Sequence, residues 1–136
     1  MFEGGHRVPF IASWPGVIPA GKTNNEALMT KDFLPTFAEL ADASIPDGHL
    51  LDGMDIMPLL QDDTKKSDRV LHWMHADAWA VRKGSWKLTG QGGNAQTLVN
   101  LDKDLSEKDN LIRENAETAD ELINLHRQWI ADVGNR

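Results

Sequence analysis

Glu3-Gly4-Gly5-His6-Arg7-Val8-Pro9-Phe10-Ile11-Ala12-Ser13-Trp14-Pro15-Gly16 opens the chain and carries its most specific pattern. Gly4-Gly5 frees the backbone for a positive φ or a close approach. Residues 8–14 are nearly all apolar, as expected of a short strand buried on both faces. Pro15-Gly16 ends the run, and Pro19-Ala20-Gly21 makes a second turn. The double glycine reads either as a plain turn or as a loop held close to an active site. Glu3 reads either as a general base or as a structural carboxylate that accepts backbone N–H groups.

Working outward, Asp32 is the expected N-cap of a helix that starts at Phe33, with Pro35 in its first turn. Phe33, Phe37, Leu40 and Ala41 share one helical face and are expected in the core. Leu51-Asp52-Gly53-Met54-Asp55 reads as a turn before the apolar residues 56–60. Residues 61–68 are polar and aperiodic, the expected boundary between two parts. Residues 70–74, 78–82, 85–88 and 97–101 follow as short strands. Lys83-Gly84 is the expected tight connection, and residues 90–94 another turn. From about residue 117, Ala119, Leu122, Ile123, His126, Trp129, Ile130 and Val133 keep helical spacing, and Gly134 suits the C′ position. A meander of about four strands, with one face covered by this terminal helix, is expected. Leu122, Ile123, Trp129 and Ile130 would pack on Trp73, Trp79 and Trp86. If its ring is fully buried, Trp129→Ala should cost about 3–5 kcal/mol, and Arg136→Ala little.

The chain has 136 residues, 40% hydrophobic and 26% charged, enough for a modest core. Its net charge of -7 and the lack of a basic stripe argue against a nucleic-acid partner. No apolar run approaches the roughly 18 residues of a membrane span, so no membrane partner is expected. The first residues lack the features of a signal peptide, which leaves the compartment open. The absence of cysteine excludes disulfides, zinc–thiolate sites and a cysteine nucleophile.

Chemistry-bearing motifs are few. His72 and His75 lie three apart on a strand and so point to opposite faces, which disfavours a metal pair. His49 and His126 read as structural. Asp102-Lys103-Asp104-Leu105-Ser106-Glu107 fails as an EF-hand, since Glu107 and Arg113 stand where glycine and glutamate are needed. It reads as a charged turn. No phosphate-binding glycine loop, dinucleotide fingerprint, serine elbow or HExxH zinc motif occurs. Neither a catalytic residue nor a metal ligand is assigned.

The opening stretch resembles the EGG-x-R-x-P-hydrophobic-WPG segment of the sulfatase family. Residues 32–41 resemble its D-hydrophobic-x-PT-hydrophobic-x-x-LA helix, and residues 51–60 its LDG-x-D-hydrophobic-x-PLL. Residues 80–88 are similar to its A-V-R-x-G-x-W-K-hydrophobic hairpin. Residues 98–111 are similar to its L-Y-D-L-x-x-D-P-x-E-x-x-N-L, departing at Val99, Asn100 and Leu105.

The resemblance implies an α/β fold of the alkaline-phosphatase-like superfamily, of which this is the C-terminal part. Residues 1–60 would be the tail of the large α/β catalytic domain. Residues 61–136 would be a small α+β subdomain of about four antiparallel strands covered by a C-terminal helix. The resemblance implies a parent enzyme that hydrolyses the sulfate ester of a small molecule or glycan. In it a calcium-bound formylglycine attacks sulfur while cationic groups stabilise the developing charge. The family makes formylglycine within C/S-x-P/A-x-R, and none of Ser13, Ser44, Ser67, Ser85 or Ser106 lies in that motif. Calcium and formylglycine are therefore expected from the parent and not from these residues, and this chain alone is expected to be inactive.

His6 and Arg7 are the residues the resemblance places nearest a bound sulfate ester. For Arg7 the rival reading is a buried pair with Glu3. Self-association of the isolated chain, or disorder of about residues 1–20, is expected from its unpaired apolar strand. The parent family is often periplasmic or secreted. A phosphoesterase or phosphonate hydrolase of the same superfamily, and a non-catalytic truncated or complementing module, are the alternatives.

Overall fold

A computed structural model describes residues 1–134. Asn135 and Arg136 lie outside the described residues, and with them Arg136→Ala and the end of the expected second segment. The chain divides into two compact units. One joins Met1–Pro9 to the chain from Asp68 onward; the other is Phe10–Ser67. The division falls seven residues beyond the expected 60/61 boundary, inside the polar stretch that marked it.

In the Phe10–Ser67 unit, α1 (Phe33–Leu40) starts where expected, but its buried face differs. Phe37, Leu40 and Ala41 are exposed, and the buried position is Thr36. Polar groups make the contact instead. The buried Asp32 carboxylate accepts the Met29 amide at 2.7 Å and the Met54 amide at 3.2 Å. Thr36 Oγ1 donates to Asp32 O at 2.7 Å and accepts the Ile56 amide at 3.1 Å. A Cβ on Gly53 would collide with the Lys31 carbonyl, so only glycine lets the two segments approach this closely. Asp55 Oδ1 accepts the Met57 amide at 2.9 Å at the start of α2 (Met57–Gln61). The apolar stripe of α1 is thus covered only in part among the described residues: Phe33 is half-buried, 5.6 Å from the Phe10 ring and stacked on Phe37 at 5.9 Å, while Phe37 and Leu40 are exposed.

The expected strand over residues 8–14 does not form. Val8 and Ile11 are 79% and 89% exposed, and no strand pairs with this run among the described residues. An all-apolar strand needs neighbours on both edges and both faces, and this stretch has none of them here.

The other unit is built on a four-stranded antiparallel sheet in the order β1-β2-β3-β4. The strands are β1 (Val70–His75), β2 (Ala78–Lys83), β3 (Trp86–Gln91) and β4 (Asn94–Asn100). Lys83 ends β2, so the second connection is Gly84-Ser85, with Gly84 at φ +56°. The third turn is tighter than expected. Gly90 remains in β3 because the Trp79 indole lies on it, and the chain reverses at Gly92-Gly93.

Pairing fixes the two faces. Val81, Leu88 and Leu98 align across β2, β3 and β4. They form the core with Trp79 and with Ala119 and Leu122 of α3 (Ala116–Gly134). Gly134 is helical and is the last described residue, so it is not seen in the expected C′ role. Trp79 stacks on His126 at 4.2 Å and His72 on Trp129 at 4.9 Å, which locks the helix to β1 and β2. The opposite face carries Leu71, Ala80, Lys87 and Val99, all buried. Both faces are therefore covered, where one was expected. Trp73 belongs to this second face and not to the helix contact.

The outer edge of β4 is also closed. Asn110 Oδ1 accepts the Leu98 amide at 3.1 Å, Asn110 Nδ2 donates to Gln96 O, and the Leu111 amide donates to Leu98 O at 2.8 Å. Pairing of this kind blunts an exposed sheet edge.

Candidate functional site

Met1–Pro9 lies on the second face of the sheet. Glu3–Gly5 forms one 3-10 turn, closed by the His6 and Arg7 amides on Glu3 O at 3.1 and 2.8 Å. Neither Gly4 nor Gly5 has a positive φ, and a Cβ on either would meet nothing within 4 Å. The expected backbone demand is thus not what the described residues impose there.

Glu3 is 2% exposed and is the hub of the turn. Its Oε1 accepts from Lys87 Nζ at 2.9 Å and faces His6 Nε2 at 3.2 Å. Its Oε2 faces Arg7 Nη1 at 3.4 Å and Arg82 Nη1 at 3.5 Å. The Glu3 amide donates to Glu107 Oε2 at 2.5 Å. Lys87 Nζ also stands 2.9 Å from Glu107 Oε1, a charge contact without hydrogen-bond angles. A fully buried ammonium therefore lies between two buried carboxylates, the arrangement that a buried charge requires. His6 also packs its ring on Trp73 at 4.7 Å.

Burial alone would raise the Glu3 pKa. The Lys87 hydrogen bond and charge outweigh it, with Arg82 and His6, and hold the carboxyl below its usual 4.5. A carboxylate tied this firmly to Lys87, Arg82 and Arg7 is a poor general base, so the structural reading of Glu3 prevails. Burial pushes His126 below its usual 6.5, and its Nδ1 has no hydrogen-bond partner among the described residues.

These two groups give stability a stepped acid dependence. The unfolded chain takes up a proton on His126 first, so stability falls as pH drops below 6.5 toward the lower folded value. Glu3 contributes stability above 4.5 that is lost as pH falls further, through its depressed folded value. Urea midpoints taken from pH 7.5 to 3.5 are expected to fall in both windows. His126→Phe should flatten the upper one and Glu3→Gln the lower. Midpoints independent of pH in the wild type would contradict both assignments.

Both sequence-assigned residues thus meet at Glu3. Arg7 is paired as its rival reading held, but its side chain is 45% exposed against 16% for Arg82. His49 is exposed in its loop and His75 at the end of β1. His72 faces α3. The sequence reading missed Lys87, Arg82 and Glu107. Their signal lay in the pattern itself: Lys87 alternates with Trp86 and Leu88, and so must enter the sheet's second face. The described residues hold no cluster of three or more His, Asp or Glu suited to a metal. Glu3 and Glu107 are already neutralised by Lys87, so the turn does not fit calcium.

Residues 1–132 match the family model of the C-terminal portion of N-sulphoglucosamine sulphohydrolase. Human (Homo sapiens) steryl-sulfatase is 43% identical over 83 residues, 60% of this chain and 14% of that protein. Arylsulfatase G of Canis lupus familiaris is 32% identical over 154 residues, 97% of this chain and 29% of that protein. The solved structure of Ps i-CgsB superposes with a TM-score of 0.72 at 27% identity, over 85% of this chain and 27% of that one. It is also known in complex with k-i-k-neocarrahexaose. The chain thus spans less than a third of each of these relatives.

Proposed function

The chain belongs to the N-sulphoglucosamine sulphohydrolase C-terminal family, the C-terminal portion of a sulfatase, and from that premise we propose that it completes an enzyme that hydrolyses sulfate esters. The observation that carries this reading is the match over residues 1–132, which includes the Glu3–Arg7 turn and both of the segments that anchor it. Sulfatases use calcium, and the reading assigns both calcium and the formylglycine to parent residues outside these. Residues 1–60 are read as the tail of the catalytic domain and residues 61–136 as its sheet-and-helix subdomain. A sulfated small molecule or glycan is the substrate class. His6 and Arg7 are its contacts, because theirs are the most exposed of the side chains that face Glu3, ahead of Arg82, while Lys87 is enclosed.

Two assays test the reading. A polypeptide that joins these residues to an upstream C/S-x-P/A-x-R motif is expected to turn over an aryl sulfate with calcium, in preference to the matching aryl phosphate. The reverse preference would favour the phosphoesterase. The chain alone is expected to show no turnover, because the nucleophile supplies most of a rate enhancement of many orders of magnitude. Hydrolysis above an inactive-protein control, at stoichiometric protein, would overturn that part. Exposed Val8, Phe10, Ile11 and Trp14 also favour self-association, which light scattering reads directly.

A further inference from the structure

We propose that Lys87 is the positioning residue of the Glu3–Arg7 turn: from β3 it fixes, through the Glu3 carboxylate, where His6 and Arg7 stand. The role rests on the reading of His6 and Arg7 as sulfate contacts, and Lys87 itself, fully buried, touches no substrate.

The two oxygens of Glu3 divide the work. Oε1 is shared by Lys87 and His6, and Oε2 by Arg7 and Arg82. Lys87 makes the shortest of these contacts, at 2.9 Å. Arg82 is its cross-strand partner on β2, so both inner anchors belong to one rigid ladder. The rotation of the carboxylate is therefore set from the sheet side. The two residues of the outer side, His6 and Arg7, take their places on what remains. Glu107 completes the clasp by accepting the Glu3 amide at 2.5 Å. Without Lys87 the buried Glu107 would lose its 2.9 Å counter-charge, and Glu3 would keep as counter-charges only the longer contacts of Oε2 with Arg7 and Arg82. Glu3 would then swing out, and its amide contact with Glu107 would go with it. The sheet would retain Leu88, Val81 and Leu98 on its other face. The consequence falls on the turn.

The test uses the full chain and two nuclear magnetic resonance readouts. One is amide exchange at Gly5, His6 and Arg7, whose N–H groups close the turn on Phe2 O and Glu3 O. The other is the ring-proton shift of His6, which reports its 4.7 Å stack on Trp73. In Lys87→Met, exchange at the three turn amides is expected to accelerate about 100-fold or more. The His6 ring protons should move toward exposed-histidine positions, while Val81, Leu88 and Leu98 amides keep their protection. Lys87→Arg, which keeps the charge, should restore most of both signals. Unchanged His6 and turn signals in a folded Lys87→Met would overturn the proposal. If Lys87→Met does not fold, Glu3→Gln decides, because Lys87 then keeps Glu107. The same local loss supports the proposal and an unmoved His6 ring defeats it. No substrate enters these readouts, so their failure is distinct from a failure of the sulfatase reading in the aryl sulfate assays.

Discussion

Gly90→Ala is expected to destabilise the sheet unit by about 3–5 kcal/mol, as much as deleting a buried aromatic ring. The added Cβ would fall inside the Trp79 indole and 2.5 Å from Asn94 O. The backbone oxygen belongs to a paired strand and cannot yield. The indole cannot swing away either. Its Nε1 donates to Gly92 O at 2.9 Å, and its far face lies 4.2 Å from the His126 ring. Accommodating one methyl group therefore means giving up the seat of Trp79, which is 5% exposed. Gly93→Ala, three residues on, is the control. Its Cβ meets nothing within 4 Å and its φ is not positive, so a change within about 0.5 kcal/mol is expected. Urea melts followed by tryptophan fluorescence compare the two. Trp73, Trp79, Trp86 and Trp129 lie in the sheet unit and Trp14 in the Phe10–Ser67 unit, so both variants are made in a Trp14→Phe background, where the signal reports the sheet unit. Equal midpoints for the two variants would mean that the Trp79–Gly90 contact is not tight.

This glycine shows what the sequence could and could not convey. Glycine and asparagine clustered over residues 90–94 announced a turn, and a turn is there. Which glycine turns and which makes room depends on a tryptophan eleven residues earlier in the chain, and no local pattern carries that. The strands themselves were legible because alternation is a local property. Their two-sidedness was not, since what covers the second face is Met1–Pro9, far away in sequence. For the same reason Lys87 read as one more letter of a hairpin.

Helix α1 failed differently. Its apolar stripe is real, but burial follows what lies opposite: Asp32 and Thr36 hold the Met54 and Ile56 amides, while Phe37 and Leu40 stay exposed. The family-like letters Glu3, Gly53, Lys87, Glu107 and Asn110 each have a physical reason in the structure. They are a hub, a close approach, a counter-ion, a second carboxylate and an edge cap. The resemblance included these letters in its segments but gave none of them a role. The proposal that His6 and Arg7 contact a sulfate ester came only through that resemblance. Their geometry depends on charges supplied by β2 and β3.

The helix contact yields the second large effect, and it reverses an order read from side-chain size. Trp129 is the bulkiest residue on the inner side of α3, yet it is only partly buried. It stacks on His72 near the edge strand, outside the central cluster. Leu122 is 1% exposed and sits among Trp79, Val81, Leu88, Leu98 and Ala119. Leu122→Ala removes both the transfer energy and the packing of a fully enclosed side chain. It is expected to cost about 3–5 kcal/mol. Trp129→Ala loses the stack on His72, a longer 6.0 Å ring contact with His126 and part of an area already wet, about 1–2 kcal/mol. The helix cannot compensate from its own propensity, because most of a helix's stability in a protein comes from packing its apolar face. Losing Leu122 should therefore also raise amide exchange along α3 before the sheet opens. The same urea melts, read by far-ultraviolet circular dichroism for the helix, give the comparison. A larger midpoint shift for Trp129→Ala than for Leu122→Ala would place the anchor of the helix at β1 and not over the centre of the sheet.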